Sequence, residues 1–216
     1  MPEGRHRSTS RVVLIGVGVA ALAVIGVLAV VLGGGGTSII SRSTPEFSFT
    51  VDKAIGTSLE PGVKDRDVSG RADTVAAEIA PTLDVLYSAA FLDPENWANG
   101  TYDPVWTLFG ADARATAIAS ASVLTLGDLG ARFDDVQPDR GVLDARVLFD
   151  AAGEATLVSV RVTFRATATP GADASTAASI VSRGEYLLER GSSGWVIVAF
   201  RVDRDDENVP AAETTS

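Results

Sequence analysis

The stretch VSVRVTFRA at residues 158–166 decides the fold class, because its apolar and polar residues alternate without a break. A period of two is the period of a β-strand that has one buried face and one solvated face. The same period predicts strands at residues 142–149, 179–190 and 195–203, and the glycine-bounded loop at 191–194 joins the last two as a hairpin. The C-terminal half of the chain is therefore predicted to be an antiparallel sheet.

The last predicted strand has apolar residues on both faces. Strict alternation places Trp195, Ile197 and Ala199 on one face and the remaining apolar residues, Val196, Val198, Phe200 and Val202, on the other. Apolar character on both faces indicates a strand at the centre of the sheet or one whose second face is covered by a partner. Trp195 and Ile197 are accordingly candidate interface residues.

Upstream of the strands, the period of the apolar residues is that of a helix. From Arg71 onward, apolar residues recur three and four positions apart, at Val75, Ile79, Leu83, Leu86 and Ala90. Pro81 predicts either a kink in this helix or a helix that begins near the proline, and residues 111–121 predict a second, alanine-rich helix. Helices followed by a run of strands predict an α+β domain in which helices pack on one face of a curved, mostly antiparallel sheet.

The N-terminus carries a membrane signal. Residues 12–32, from Val12 to Leu32, are an uninterrupted run of 21 apolar residues. As a helix this run spans about 31 Å, the thickness of a bilayer's hydrocarbon core. Arg5, Arg7 and Arg11 precede it, so the N-terminus is predicted to stay in the cytoplasm and the rest of the chain to be exported. A cleaved signal peptide is the alternative, but its apolar region is usually shorter and ends at a small-residue cleavage site.

These signals divide the chain into five parts. They are a cytoplasmic basic tail at residues 1–11, a transmembrane helix at 12–32, a flexible tether at 33–70, an α+β ectodomain at 71–205 and a disordered tail at 206–216. Within the tether, the alternating residues Phe47 to Val51 predict either a short strand that docks on the domain or a foot near the membrane surface.

Composition excludes several classes of function. The chain has 216 residues and a net charge of −10, so a nucleic-acid binder is disfavoured, because phosphate binding needs a basic surface. There is no cysteine, which removes disulfides, thiolate metal sites and thiol nucleophiles. His6 is the single histidine and precedes the predicted span, so catalysis by an exported histidine is excluded.

The chain resembles the nuclear-transport-factor-2-like (NTF2-like) superfamily, whose cone-shaped α+β fold is shared with ketosteroid isomerases and polyketide cyclases. The resemblance covers about residues 71–205. It lies in the opening helix, in the segments FLDP at 91–94 with Trp97 and WTLF at 106–109, and in the final hairpin EYLLER…GWVI at 185–197. With its single predicted span and arginine-biased composition, the chain is most similar to actinobacterial membrane-anchored members such as the mammalian-cell-entry (Mce)-associated proteins. The superfamily includes enzymes, ligand binders and assembly scaffolds.

The resemblance implies a cone whose lining decides the function. Aromatic residues are the candidates for a pocket that receives a lipid or other apolar molecule: Tyr87, Phe91, Trp106, Tyr186 and Phe200. The alternative is that these rings fill the cone as an ordinary core. An isomerase-type site would need an aspartate base with tyrosine donors. Tyr87, Tyr102, Tyr186, Asp84 and Asp103 supply those residue types, but no spacing ties them to that family's positions.

No metal site, cofactor or catalytic residue is expected. The acidic clusters at residues 65–67, 134–135 and 205–207 lack the spacing of a calcium-binding loop. The sequence therefore predicts a non-enzymatic, single-pass membrane protein whose exported domain binds other envelope proteins, or a second copy of itself, as an accessory or assembly subunit. Carriage of an apolar molecule is the first alternative, and an isomerase- or cyclase-type enzyme is the second.

Overall fold

The sheet and the helices that cover it are drawn from residues 43–171, 177–192 and 194–209, which the computed structural model describes. The predicted basic tail and transmembrane helix lie outside these residues. The described chain is α+β, with one five-stranded mixed sheet. Its strands are β1 Thr50–Ser58, β2 Phe133–Phe149, β3 Ala155–Pro170, β4 Ala177–Gly191 and β5 Gly194–Val209.

The strands follow one another across the sheet in chain order, β1-β2-β3-β4-β5. The three pairs from β2 to β5 are antiparallel, as predicted, and β1 pairs with β2 in parallel. All four predicted strands are present and each is longer than expected. β2 begins at Phe133 and continues past Pro138, because the pairing shifts between Pro138 and Arg140 and this bulge absorbs the proline that a regular ladder would exclude.

One face of the sheet is buried and the other is exposed. On β3 the side chains of Val158, Val160, Val162 and Phe164 are fully buried, whereas the alternate residues face outward. The buried face packs against the helices. These are α1 Ser69–Tyr87, α2 Pro94–Asn99, α3 Asp103–Trp106, α4 Ala111–Ala119 and α5 Ala121–Leu124.

Helix α1 runs through Pro81 and continues as a π-helical turn, Ser88–Leu92. Together they form a stretch, Ser69–Leu92, that is long and apolar enough to cross a membrane by length and composition. More than half of the most apolar part of this stretch is buried inside the protein. Its apolar residues pack against the sheet, which makes this stretch the core helix of the domain.

The domain begins earlier and ends later than predicted. The segment at 33–70, expected to be a tether, contains β1 and a 3-10 turn at Asp65–Asp67. At the other end, β5 extends to Val209, into the predicted tail. The correction has a physical reason: β1 pairs with β2 from Thr50 to Ser58, so the backbone hydrogen bonds along one of its edges hold it in the sheet although its composition is polar.

Candidate functional site

Aromatic rings fill the space between α1 and the sheet. Tyr87 and Phe91 lie one turn apart on the helical stretch and stack at a centroid distance of 5.5 Å. The Phe164 ring of β3 lies 5.1 Å from Tyr87 and 5.3 Å from Phe91. These distances are those of packed aromatic pairs. The rings of Tyr87, Phe91 and Phe164 therefore contact one another directly.

Three hydroxyl groups are buried within this aromatic cluster. The Tyr87 Oη lies 3.1 Å from the Tyr186 Oη and 3.2 Å from the Ser182 Oγ. All three residues are at most 2% exposed. Burial raises the pKa of Tyr87 and raises that of Tyr186 well above its ordinary value, because a phenolate would lose its hydration. Both tyrosines are thus neutral groups that satisfy each other's hydrogen bonds.

Of the five predicted pocket residues, the structure brings three together. Tyr87, Phe91 and Tyr186 belong to the aromatic cluster, and their rings pack against protein rings. Trp106 and Phe200 pack against other rings: Trp106 contacts Tyr102, at 6.4 Å, and Phe200, although it pairs with Tyr186 in the sheet, contacts Phe109, at 5.4 Å. By these ring contacts, the predicted residues fall into three aromatic groups.

The segment that precedes β1 also enters the aromatic cluster, which the sequence indicated only as one of two alternatives. Phe47 lies 5.3 Å from Phe164, and Phe49 lies 5.0 Å from Tyr87, both edge to face. The backbone N–H of Phe49 donates a hydrogen bond of 2.7 Å to Asp84 Oδ1. Burial raises the pKa of Asp84, and the Phe49 N–H partly opposes this rise. Asp84 is thus a half-buried carboxyl that anchors the incoming chain.

Trp195 and Ile197, the predicted interface residues, do not share an exposed face. The pairing of β4 with β5 shifts between Leu187 and Leu188, so Val198 is an extra residue. The shift turns Ile197 to the buried face, where it is 0% exposed. Its backbone also bonds outward across the strand edge, to Leu108 O at 3.0 Å and to Gly110 N at 2.9 Å.

Trp195 lies at the start of β5, near α1. Its Nε1 donates to Glu78 Oε2 at 3.5 Å, and the Arg190 guanidinium lies 4.7 Å from its ring centre. Arg190 also forms an ion pair of 2.5 Å with Glu78. These contacts join the β4–β5 hairpin to α1, so Trp195 is occupied by an intramolecular contact and remains only partly exposed.

Along β5, the helical layer leaves apolar residues partly uncovered. We call Leu108, Phe200 and Val202 the apolar strip, because all three pack against the core and yet remain partly exposed. Leu108 lies beside β5 through its bond to Ile197, and Phe200 and Val202 pair with Tyr186 and Gly184 of β4. By contrast, the inward residues of β3 are fully buried. The strip is the incompletely covered part of the inner face.

The outer face carries a row of alternating charge across all five strands. The strand register aligns Lys53, Asp144, Arg161, Glu185 and Arg201 in that order. Arg161 donates to Glu185 Oε1 at 2.8 and 3.1 Å, and this contact, with Arg201 contributing, lowers the pKa of Glu185. Exposed cross-strand pairs mainly favour one register and contribute little to stability. The outer face of the sheet is therefore a charged surface in contact with solvent.

No protein-family model and no curated protein matches this chain. Within the described ranges, no group of three or more His, Asp or Glu side chains could hold a metal ion. The site is thus defined by its own geometry: a packed aromatic interior, a solvated sheet face and the partly exposed apolar strip.

Proposed function

We propose that this chain is a single-pass membrane protein whose extracytoplasmic NTF2-like domain is a non-enzymatic accessory or assembly subunit of a cell-envelope complex. The apolar run at residues 12–32, with arginines before it, supports the anchor and the orientation. The partner is another envelope protein or a second copy of the chain, and nucleic acid is not a partner.

The observation that carries the proposal is the partial exposure of the apolar strip. Phe200 and Val202 lie on the inner face of β5, where a fully covered sheet would bury them as it buries Val160 and Val162. Leaving apolar area in contact with water costs about 25 cal/mol per Å². Partly exposed aromatic and aliphatic side chains on one side of a domain are typical of a surface that a partner completes.

The interior supports a binding role over a catalytic one. An isomerase-type site requires a carboxylate and hydroxyl donors that can reach a substrate. Here the hydroxyl of Tyr87 bonds to those of Tyr186 and Ser182, and Asp84 accepts the Phe49 N–H. The groups suited to that chemistry are engaged with the chain itself.

The membrane orientation can be tested with single cysteines, because the chain has none of its own. We expect Ser159→Cys, on the exposed sheet face, to react with a membrane-impermeant maleimide in intact cells. Ser8→Cys, before the predicted span, should react only after the membrane is opened. The reverse pattern, or labelling of both in intact cells, would contradict the proposal.

The assembly role can be tested by changing the strip in the full-length protein. We expect a partner to co-purify in fixed stoichiometry with the wild type and to be lost with Val202→Asp, because a desolvated carboxylate opposes burial. Ser159→Asp, which adds the same charge on the exposed outer face opposite Arg146, is the matched control and should retain the partner. Equal retention by both variants would exclude the strip as the binding surface.

A further inference from the structure

Strand β5 forms one edge of the sheet, and most of that edge is unpaired. On one side, β5 pairs with β4 along its whole length. On the other side, among the described residues, its backbone forms hydrogen bonds at Ile197, which donates to Leu108 O at 3.0 Å and accepts from Gly110 N at 2.9 Å. Within the described ranges, residues 199–207 therefore have no strand beside them on this side. We call this side of residues 199–207 the open edge.

The bonds of Ile197 show which backbone groups of β5 face the open edge. In an antiparallel pair, residues that bond to the neighbouring strand alternate with residues whose N–H and C=O point away from it. Ile197 bonds away from β4, and its partner on β4 is Leu188. Phe200 and Val202 pair with the β4 residues two and four positions before Leu188, which share its orientation because the extra residue of the bulge lies on β5. The N–H and C=O groups of Phe200 and Val202 therefore point toward the open edge.

The open edge and the apolar strip lie at the same place in the molecule. Phe200 and Val202 belong to both, and Leu108 lies where the chain's own segment 108–110 already runs parallel to β5 at its edge. Unpaired backbone groups on an edge strand form a template for another strand. Partly exposed apolar side chains beside them are buried when such a strand is added.

We propose that the partner binds by adding an extended segment to β5 as a further strand of the sheet. The segment bonds to the N–H and C=O groups of Phe200 and Val202, as segment 108–110 bonds to Ile197, and its apolar side chains cover the strip. The inference rests on the proposed function, because it states how the partner uses the strip. A partner that covers the strip with a helix leaves these backbone groups unbonded and does not fit the proposal.

The outer face of β5 defines the charges of the added segment. Arg201 and Asp203 alternate with the strip residues along β5 and are exposed on the outer face. Opposite charges directly across two strands are favourable, and like charges are unfavourable. We therefore expect the segment to carry an acidic side chain beside Arg201, a basic side chain beside Asp203 and apolar side chains at the alternate positions.

Proline at residue 202 tests the addition of a strand. Because the Val202 N–H points toward the open edge, proline there removes no hydrogen bond of the sheet, and such edge positions tolerate proline. Proline does remove the donor that an added strand requires. We expect full-length Val202→Pro to retain the partner of the wild type at least about tenfold less well on co-purification, because the bond and the close approach of the strands are both lost.

Val202→Ala is the matched control, because it shortens the same side chain and keeps the N–H. It should lower retention of the partner only about threefold, in proportion to the apolar area removed. Equal reductions by the two variants would overturn the addition of a strand and leave the strip as the binding surface. No reduction by either variant would overturn the addition of a strand and the use of the strip together. Thermal unfolding establishes that each variant is folded.

Hydrogen exchange of the wild-type chain is a second test, which does not depend on the folding of a variant. In the full-length chain alone in lipid nanodiscs, the amides of Phe200 and Val202 should exchange faster than those of Arg201 and Asp203, which bond to β4. In the complex with the partner, exchange at Phe200 and Val202 should slow at least about tenfold. Slow exchange at these two residues in the chain alone, or unchanged exchange in the complex, would overturn the proposal.

Discussion

At Gly184 the sheet has no room for a side chain, because the ring of Tyr186 lies where a Cβ would stand. Tyr186 is 2% exposed and bonded to Tyr87, so its ring has nowhere to move. The glycine is therefore part of how the buried hydroxyl group of Tyr186 reaches its partner. A close approach of this kind cannot be inferred from the strand pattern, in which Gly184 is only a weak strand residue.

We expect Gly184→Ala to destabilise the fold by about 1–3 kcal/mol, the usual result of overfilling a packed core. Gly70→Ala is the control, because nothing lies within 4 Å of a Cβ at this helical position. That change should be neutral or stabilise by up to about 1 kcal/mol, since alanine favours the helix. Urea unfolding of both variants measures the difference. A Gly184→Ala protein as stable as the wild type would contradict the packing described.

Because burial shifts the pKa of Asp84, the free energy of unfolding depends on pH in a defined direction. Burial raises its pKa above the ordinary value of 3.8. An acid whose pKa is higher in the folded state contributes its stability in full below the unfolded pKa and loses it as the pH rises through the folded pKa. Asp84→Asn keeps an oxygen that accepts the Phe49 N–H and cannot ionise. Its stability relative to the wild type should increase as the pH rises from about 4 toward neutrality.

Urea unfolding at the two ends of that pH range tests the assignment. Asp103→Asn, at an exposed position at the start of α3, serves as the control for removing one negative charge. If the difference in free energy of unfolding between Asp84→Asn and the wild type did not change with pH, burial would not be raising the pKa of the Asp84 carboxyl.

At the scale of elements, α1 combines a favourable apolar face with an unfavourable residue. Pro81 lies inside the helix, is exposed and has no N–H to bond the preceding turn. The helix nevertheless continues, because Ile79, Leu83 and Leu86 are buried on either side of the proline. Tertiary packing overrides local preference here.

We expect Pro81→Ala to stabilise the domain by about 1–2 kcal/mol, because a hydrogen bond is restored while some rigidity of the unfolded chain is lost. Pro94→Ala is the matched control. Pro94 stands in the first turn of α2, where proline is well tolerated, and its replacement should bring no gain. Thermal unfolding of both variants measures the effect, and an equal or larger gain for Pro94→Ala would contradict this explanation.

The elements that the sequence predicts are those with a long, regular apolar period. The strands β2 to β5 and helix α1 meet this condition, because each buries one face against the same core. Strand β1 does not, since it is an edge strand with few buried residues and its stretch resembles a polar tether. The bulge at Val198 is invisible for another reason: alternation in the sequence carries no sign of an extra residue.

The same limits apply to the candidate site. The nearness of Tyr87 and Phe91 follows from helical spacing. The hydrogen bonds of Tyr87 to Tyr186 and Ser182 depend on the register of β4, which the sequence does not determine. The role of Asp84 depends on the path of the segment that precedes β1, and the sequence offered two interpretations for that segment. Contacts between residues that are distant in the chain could therefore not be predicted from the sequence.

At the scale of the whole molecule, the described surface divides by chemistry. The charges on the outer sheet face alternate in sign from strand to strand, as is typical of a surface in contact with solvent. The interior is filled by aromatic rings. The apolar strip along β5 is the surface whose composition favours a protein partner. We propose that the domain binds its partner through this strip while the chain is anchored in the membrane.

The most direct test is photo-crosslinking in intact cells. A photoreactive amino acid is placed at Val202 in the strip and, in a second protein, at Ser159 on the outer face. We expect Val202 to give a discrete adduct of constant mass with one partner protein or with a second copy of the chain, and Ser159 to give none. Adducts of equal yield and mass from both positions, or none from Val202, would show that the strip is not the binding surface.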